Sequence, residues 1–104
     1  MIIATTNQVA GKNIVKVFGV VKGNTARARS VGRDILAFGK NIVGGEVLEY
    51  TKLIAESREQ AIDRMKENAE KLGANAIVGV RFTSSTVAGG VSEILVYGTA
   101  VRIE

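Results

Sequence analysis

The chain has 104 residues, 46% of them hydrophobic, and a formal net charge of +4. Cysteine and histidine are both absent, which excludes disulfide bonds, thiolate nucleophiles, histidine bases and the usual ligands of transition metals. We expect residues 1–104 to form a single domain. No apolar run approaches the roughly 18 residues of a membrane-spanning helix, and the N-terminus lacks the basic and apolar regions of a signal peptide. We therefore expect a cytoplasmic protein without a membrane segment.

The positive charge is concentrated in the first half of the chain. Residues 1–45 carry seven basic residues and one acidic residue, whereas residues 46–104 carry seven basic and nine acidic residues. The basic segment 22–40 could bind phosphates or an acidic surface, but a solvated or subunit-pairing loop is the simpler interpretation. Aromatic residues are only 5% of the sequence, which disfavours the stacking platform of a single-strand nucleic-acid binder. The basic side chains of the segment are Lys22, Arg27, Arg29, Arg33 and Lys40.

Two β-strands are predicted in the first quarter of the chain. Residues 1–6 are a short β-type run, and residues 14–23 are rich in β-branched side chains, which is typical of a strand. Gly19 and Gly23 lie inside the second run and indicate a bulge or a close packing contact. Strict alternation along the strand predicts one shared face for Val15, Val17 and Val21.

The longest predicted element is a helix from Glu46 to Leu72. Before it, residues 24–30 can extend the second strand, and the apolar spacing in residues 31–43 indicates a short helix. Gly73 is a stop signal, because a residue with positive φ closes a helix at low cost. Residues 57–60 resemble a capping box, so a second helix starting there is the alternative to one continuous helix, which we favour. One face carries small or apolar residues at steps of three and four, namely Tyr50, Leu53, Ile54, Ser57, Ala61, Ile62, Met65, Ala69 and Leu72.

The last third of the chain predicts two more strands. Residues 76–83 and 93–103 are rich in β-branched residues. Between them, residues 84–90 are polar and end in two glycines, which indicates a flexible hairpin connection. Alternation in the first of these strands predicts one shared face for Ala76, Val78, Val80 and Phe82.

This order of elements predicts an α+β fold of two layers, an antiparallel sheet with one long helix packed across it. One helix covers one face of a sheet, yet the strands carry apolar residues on both faces. The second face therefore needs a partner, and the most economical partner is another copy of the chain. We expect a homo-oligomer.

The candidate functional residues of this sequence are binding residues rather than catalytic ones. Gly44 and Gly45 before the helix could hold an anion on their amides, although a tight entry turn is the favoured interpretation. No nucleophile has an obvious base beside it, so we predict no catalytic residue, no metal ligand and no cofactor. Four residues could line a small polar site, although helix-to-sheet packing with a satisfied polar tip is the commoner role of such residues. They are Tyr50, Arg58, Arg81 and Tyr97.

Several segments form a combination that spans nearly the whole chain. They are Thr5-Thr6, Gly19-Val20-Val21 with Gly23, Gly44-Gly45-Glu46 with Tyr50-Thr51, Arg58, Ala61, Met65, Ala69, the run from Gly73 to Phe82, and Tyr97-Gly98-Thr99-Ala100-Val101. This combination resembles the YbjQ-like family of small bacterial and archaeal proteins. The resemblance implies a dodecin-subunit-like fold assembled as a ring, with a homopentamer expected.

The family has no established biochemical function and carries a heavy-metal-binding label. A chain without cysteine and histidine lacks the usual ligands of soft and borderline metals, which leaves only hard ions with oxygen ligands. We rank three hypotheses on this basis. The first is a non-enzymatic oligomeric protein that binds a small ligand or ion between subunits. The second is an anion or nucleic-acid binder that uses the basic segment 22–40, and the third is an enzyme.

Overall fold

The computed structural model describes residues 1–25, 45–87 and 91–104. The predicted short helix in residues 31–43 lies outside these ranges, as do Gly44 and most of the basic segment 22–40. The elements in chain order are β1 (Ile2–Ile3), β2 (Ile14–Thr25), α1 (Gly45–Lys71), β3 (Ala76–Val87) and β4 (Val91–Ile103).

The four strands form one mixed sheet in the order β1-β3-β4-β2. β4 is antiparallel to both of its neighbours, but β1 runs parallel to β3. The prediction of an antiparallel sheet is therefore wrong at β1. The physical reason is that residues 4–13 do not form a tight hairpin between β1 and β2. They carry the chain from one edge of the sheet to the other, so β1 pairs with β3 instead of β2.

Helix α1 spans 27 residues without interruption, which confirms the continuous helix and places the capping-box residues 57–60 inside it. Its C-terminus is closed by two main-chain hydrogen bonds. Gly73 N–H donates to the Glu70 carbonyl over 3.0 Å, and Ala74 N–H donates to the Ala69 carbonyl over 3.2 Å. This is the Schellman pattern, and Gly73 has the positive φ, 90°, that the pattern requires.

The buried face of α1 follows the predicted spacing. Ser57, Ala61, Met65 and Ala69 are fully buried, because steps of four keep them over the sheet. Leu72 is the exception, since it lies beyond the last helical turn and is 48% exposed.

Three irregularities change which strand residues share a face. The register shifts between Ile14 and Lys16 and between Val17 and Gly19 in β2, and between Val78 and Arg81 in β3. Gly19 and Gly79 have positive φ at two of these sites, which is the backbone conformation that a bulge uses.

The predicted shared faces are therefore wrong on two strands. Val21 is buried beneath α1, but Val17 pairs with Val101 on the opposite face and is 62% exposed. In β3, Val80 packs with Ile77 in the helix-side core, while Val78 lies on the other side of the sheet. Each bulge adds one residue, which inverts the alternation beyond it.

The connection between β3 and β4 is shorter than predicted. Residues 84–87 belong to β3, and the ladder with β4 continues to the pair Val87 and Val91. The polarity of this segment indicated a loop, but small hydroxyl residues also suit the solvent-facing side of a strand. Residues 88–90 lie outside the described part of the chain.

The main core lies between α1 and the sheet. Met65, Ile77 and Val96 are completely buried in it. Strand β2 approaches the helix directly at Gly23, where a β-carbon would collide with the Ala61 carbonyl oxygen and lie 2.5 Å from the Met65 nitrogen. Glycine at this position is therefore a packing requirement, as the sequence predicted.

A second, smaller core lies on the helix-free face of the sheet. Its buried members are Ala76, Val78, Val101 and Ile103, and Val9 packs against them. Val9 belongs to the segment that crosses from β1 to β2, and Asn13 fastens the end of that segment by two hydrogen bonds with the Glu104 main chain, each 3.0 Å long. Part of the second face is thus covered by the chain itself, which the sequence argument for a partner did not foresee.

Candidate functional site

Another part of the helix-free face is polar and open to solvent. Val21, Gly23 and Thr25 of β2 are buried beneath α1, so the alternate residues Lys22 and Asn24 lie on the opposite face. The same alternation on β4 and β3 brings further polar side chains to this face. Together they form a groove with a volume of 390 Å³, lined by Lys22, Asn24, Thr83, Ser85, Glu93 and Leu95.

The groove has the size of a small-molecule site, since such sites typically measure about 300–1,000 Å³. It contains opposite charges towards its two ends. Lys22 lies in the row where β2, β4 and β3 place Lys22, Tyr97 and Arg81 side by side. Glu93 lies two rows away beside Ser85, and its carboxylate accepts a hydrogen bond from Asn24 Nδ2 over 3.1 Å.

Arg81 is on β3, two residues before Thr83 of the groove lining, and its side chain is held in place by the main chain. Its Nη1 donates to the carbonyls of Thr5 and Val80, each over 2.8 Å. Its remaining N–H groups have no partner among the described residues. The guanidinium is therefore fixed by the chain and still able to bind an anion.

The structure brings together two of the four predicted ligand-binding residues. Arg81 and Tyr97 are directly opposite each other on β3 and β4. Arg58 is exposed on α1, on the other side of the sheet. Tyr50 also belongs to α1, and its side chain lies outside the described part of the molecule.

Of the five residues predicted for the alternative anion-binding site, one lies in the described part of the chain. Lys22 faces the groove, whereas Arg27, Arg29, Arg33 and Lys40 lie outside the described residues.

Sequence reasoning missed the rest of the groove. Leu95 lies on a predicted strand and Asn24 in the segment that could extend one, and their alternation with buried neighbours was the available signal. Ser85 was assigned to a loop, so its place on a strand face was not seen. Thr83 and Glu93 were assigned to strands but had no partner in sequence to suggest a site.

A different surface lies along the outer edge of β2, the last strand of the sheet. Val15, Val17 and Val20 are 52%, 62% and 76% exposed there. We call residues 14–20 the open edge. Further along β2, two side chains of α1 cover the outer carbonyl groups. Asn68 Nδ2 donates to the Lys22 carbonyl over 2.8 Å, and Arg64 Nη1 donates to the Asn24 carbonyl over 2.6 Å.

This structure defines a small α+β protein with one long helix across a mixed, four-stranded sheet and a polar groove on the helix-free face. The chain belongs to the YbjQ family, since the profile of that family, described as "Putative heavy-metal-binding", matches residues 1–104. The resemblance inferred from the sequence is thereby confirmed.

Its curated relatives are uncharacterised proteins of similar length. The UPF0145 protein of Methanosarcina acetivorans is 53% identical over 103 residues, covering 99% of this chain and 97% of the relative. The UPF0145 protein of Thermotoga maritima is 49% identical over 104 residues, covering 100% of this chain and 98% of the relative.

The fold also occurs in a solved structure. A protein of unknown function from Pediococcus pentosaceus, assigned to the DUF74 family, aligns with a TM-score of 0.56 at 19% identity. The alignment covers 100% of this chain and 98% of that chain. At this identity the likeness concerns the fold alone.

The heavy-metal description does not fit the donor groups of this chain. Cysteine and histidine are absent from the sequence, and within the described ranges no three acidic residues come together as a metal cluster. The groove contains one carboxylate, Glu93, which already accepts a hydrogen bond. A soft or borderline metal prefers thiolate or imidazole ligands, so the groups in the groove do not suit such a metal. No helix in the described segments is long and apolar enough to cross a membrane.

Proposed function

We propose that the protein is a non-enzymatic, homo-oligomeric binding protein of the cytoplasm that assembles as a pentameric ring and takes a small ligand beside a subunit interface. The observation that carries this proposal is the open edge of β2, where exposed valines lie next to the polar groove. Val17 and Val20 point away from the α1 side of the sheet, and no described segment covers them. Exposed apolar residues on an end strand are a typical contact surface for another chain.

A ring is supported by the two different edges of the sheet. β1 and β2 lie at opposite ends of the strand order. Met1 and Ile2 at the β1 edge are also exposed, by 42% and 43%. Contacts between two unlike surfaces join copies head to tail and close into a ring when the rotation permits. The number five comes from the family resemblance.

The groove lies close to the proposed interface. Lys22 and Asn24 on its border belong to β2, the same strand that carries the open edge. A neighbouring copy docked along residues 14–20 would therefore stand beside the groove and restrict access to it. This arrangement supports binding between subunits. A catalytic role is not proposed, because the groove offers hydroxyl, amide and charged groups without a histidine or cysteine in the whole sequence.

Native mass spectrometry of protein purified without added metal or ligand tests this proposal directly. We expect a mass of five subunits, together with reproducible extra mass in a fixed ratio to the ring. A ring without extra mass would support a scaffold role and contradict the ligand-binding part of the proposal. A monomer would contradict the proposal as a whole.

A pair of variants tests the interface. Val17→Lys combined with Val20→Lys places two charges on the open edge and is expected to dissociate the ring without unfolding the subunit, because both side chains are exposed in the single chain. Leu72→Lys is the matched control, since Leu72 is also half-exposed but lies at the end of α1. An intact ring in the double variant would show that another surface joins the subunits.

The alternative function is anion or nucleic-acid binding through Lys22, Arg27, Arg29, Arg33 and Lys40. The specific observation in its favour is that the Lys22 ammonium has no hydrogen bond or ion pair with the described residues. Such binding should weaken steeply with salt. If labelled DNA and RNA are not retarded at low salt, this alternative is removed.

A further inference from the structure

Strands β2, β4 and β3 place Lys22, Tyr97 and Arg81 side by side in one row. In an antiparallel sheet, directly opposite side chains have β-carbons about 4.5–5.5 Å apart. Lys22 is opposite Tyr97 on one side, and Arg81 is opposite Tyr97 on the other. Tyr97, which is 40% exposed, is therefore flanked by two cationic residues whose backbone positions lie about 10 Å apart across the sheet.

Neither cation is neutralised by the chain in the described ranges. The Lys22 ammonium has no partner there, and Arg81 uses only Nη1, for two main-chain carbonyls. Two unpaired cations beside an exposed ring suit an anionic group attached to a flat body, because the ring supplies contact area and the cations supply charge-assisted hydrogen bonds.

The other end of the groove selects against a simple anion. Glu93 lies four residues from Tyr97 along β4, which corresponds to about 13 Å between backbone positions. Its carboxylate is held by Asn24 Nδ2 and would repel a second negative group. It would instead accept hydrogen bonds from a cationic or N–H group of the ligand. Thr83 adds a hydroxyl in the row between the two ends, and Ser85 adds one beside Glu93.

We infer that the groove, together with the row Lys22–Tyr97–Arg81 beside it, is a site for a small zwitterionic organic molecule. Its carboxylate would lie at Lys22 and Arg81, an unsaturated ring or other flat body against Tyr97 and Leu95, and an ammonium group at Glu93. This inference deepens the ligand-binding part of the proposed function. It does not require a particular number of subunits. Multiply charged phosphates are disfavoured by the same carboxylate that favours the zwitterion.

The probe for this site is 4-(aminomethyl)benzoate, which carries a carboxylate and an ammonium at opposite ends of one ring. Its half-molecules are 4-methylbenzoate, which lacks the ammonium, and benzylamine, which lacks the carboxylate. A ligand of this size in an open groove is expected to bind with a Kd of about 1 mM, so titration followed by NMR is the suitable measurement. We expect the zwitterion to bind more tightly than either half-molecule and to perturb the amides of residues 22, 81–85 and 93–97.

Three variants locate the two ends of the ligand. Lys22→Gln is expected to weaken binding of the zwitterion about tenfold, because one charge-assisted hydrogen bond is lost. Its main-chain carbonyl, which Asn68 uses, is unchanged. Glu93→Gln keeps an oxygen for Asn24 and should bring the affinity for the zwitterion down to that of 4-methylbenzoate. Lys52→Gln on α1 is the control for the loss of one positive charge and should change nothing.

Several results would overturn the inference. They are equal binding by wild type and Lys22→Gln, equal binding by benzylamine and the zwitterion, amide perturbations confined to other residues, or the absence of binding. Displacement of the probe by an equal concentration of inorganic phosphate would show a general anion patch instead.

Native mass spectrometry of the same samples separates this test from that of the proposed assembly. A ring that does not bind the probe would contradict the inferred site and support the proposed assembly. A monomer that binds the probe would support the inferred site and contradict the proposed assembly.

Discussion

Single residues in this protein show how closely the helix and the sheet are packed. Gly23 permits α1 to contact β2 through backbone atoms, because any β-carbon there would collide with the Ala61 carbonyl oxygen. Gly19 is also in β2, but it has open space around it and a φ of 116°. The two glycines therefore answer different physical requirements, one of space and one of backbone conformation.

Substitution of these glycines should separate the two requirements. Gly23→Ala is expected to lower the free energy of unfolding by about 3 kcal/mol or more, since rigid backbone atoms must move apart. Gly19→Ala is expected to lower it by about 1–2 kcal/mol, the usual cost of an unfavourable φ in a non-glycine residue. Urea denaturation measures both. Equal losses in the two variants would contradict the close contact at Gly23.

The main core should be sensitive to the loss of Met65, which is completely buried. Met65→Ala is expected to cost about 2–5 kcal/mol of stability through lost apolar contact and the remaining cavity. Leu72→Ala removes a similar side chain that is 48% exposed, and we expect a loss of about 1 kcal/mol or less. A thermal denaturation series that ranks the two variants in the opposite order would place the core elsewhere.

At the scale of whole elements, α1 both covers the sheet and protects the outer edge of β2. Asn68 and Arg64 satisfy the carbonyls of Lys22 and Asn24, which an added strand would otherwise use. Protection of end strands by such contacts is a known means of avoiding uncontrolled strand addition. The open edge, residues 14–20, lacks this protection from α1. The contacts of Asn68 and Arg64 with β2 therefore leave residues 14–20 as the part of the strand where another chain can pair.

Removal of the two covering side chains should extend the region available for pairing. The double variant Arg64→Met and Asn68→Leu is expected to lose about 1–3 kcal/mol of stability and to form species larger than those of the wild type. Sedimentation velocity over a range of concentrations measures the second effect. Glu67→Leu adds an apolar residue to α1 without uncovering β2 and is the control. If both variants associate equally, added hydrophobicity and not the uncovered edge is responsible.

The strands show where element prediction from sequence succeeds and where it fails. The type of every described element was predicted, because β-branched runs and the steps of three and four along α1 are strong local signals. The faces of β2 and β3 were partly mispredicted, because one extra residue at a bulge inverts all alternation after it. The prediction of a loop at Ser84 to Val87 is wrong, because small polar residues occur both in turns and on exposed strand faces.

At the scale of the whole molecule, the helix-free face divides into three parts with different roles. Val9 covers the small core near Val101 and Ile103. The groove occupies the polar part, and the open edge of β2 is left without a cover. The whole helix-free face therefore does not need a partner. Only the exposed valines of the open edge still do.

The segment that crosses from β1 to β2 should stabilise the subunit through Val9, which packs against the smaller core. Val9→Asp should destabilise the subunit, because a charge would be placed against Ala76 and Val78, which are buried. Gln8 is exposed, so the control substitution Gln8→Asp should have little effect on stability. Hydrogen exchange should show faster exchange at Ala76–Val78 in the first variant alone. Unchanged exchange would mean that Val9 does not protect this part of the sheet.

The amino-acid sequence by itself determined the long helix and its glycine stop, the positions of the strands, the glycine at the closest contact and the family. Apart from the family, which follows from a resemblance over nearly the whole chain, these features depend on local spacing and residue type, which act over a few neighbouring residues. Only the tertiary structure decided that β1 is parallel to β3, that bulges invert two strands, and that Arg81, Tyr97 and Lys22 form one row beside a groove. Those results depend on which strands become neighbours and in what register. Contacts between residues near opposite ends of the chain, such as Ile14 and Ile103, cannot be seen in local spacing.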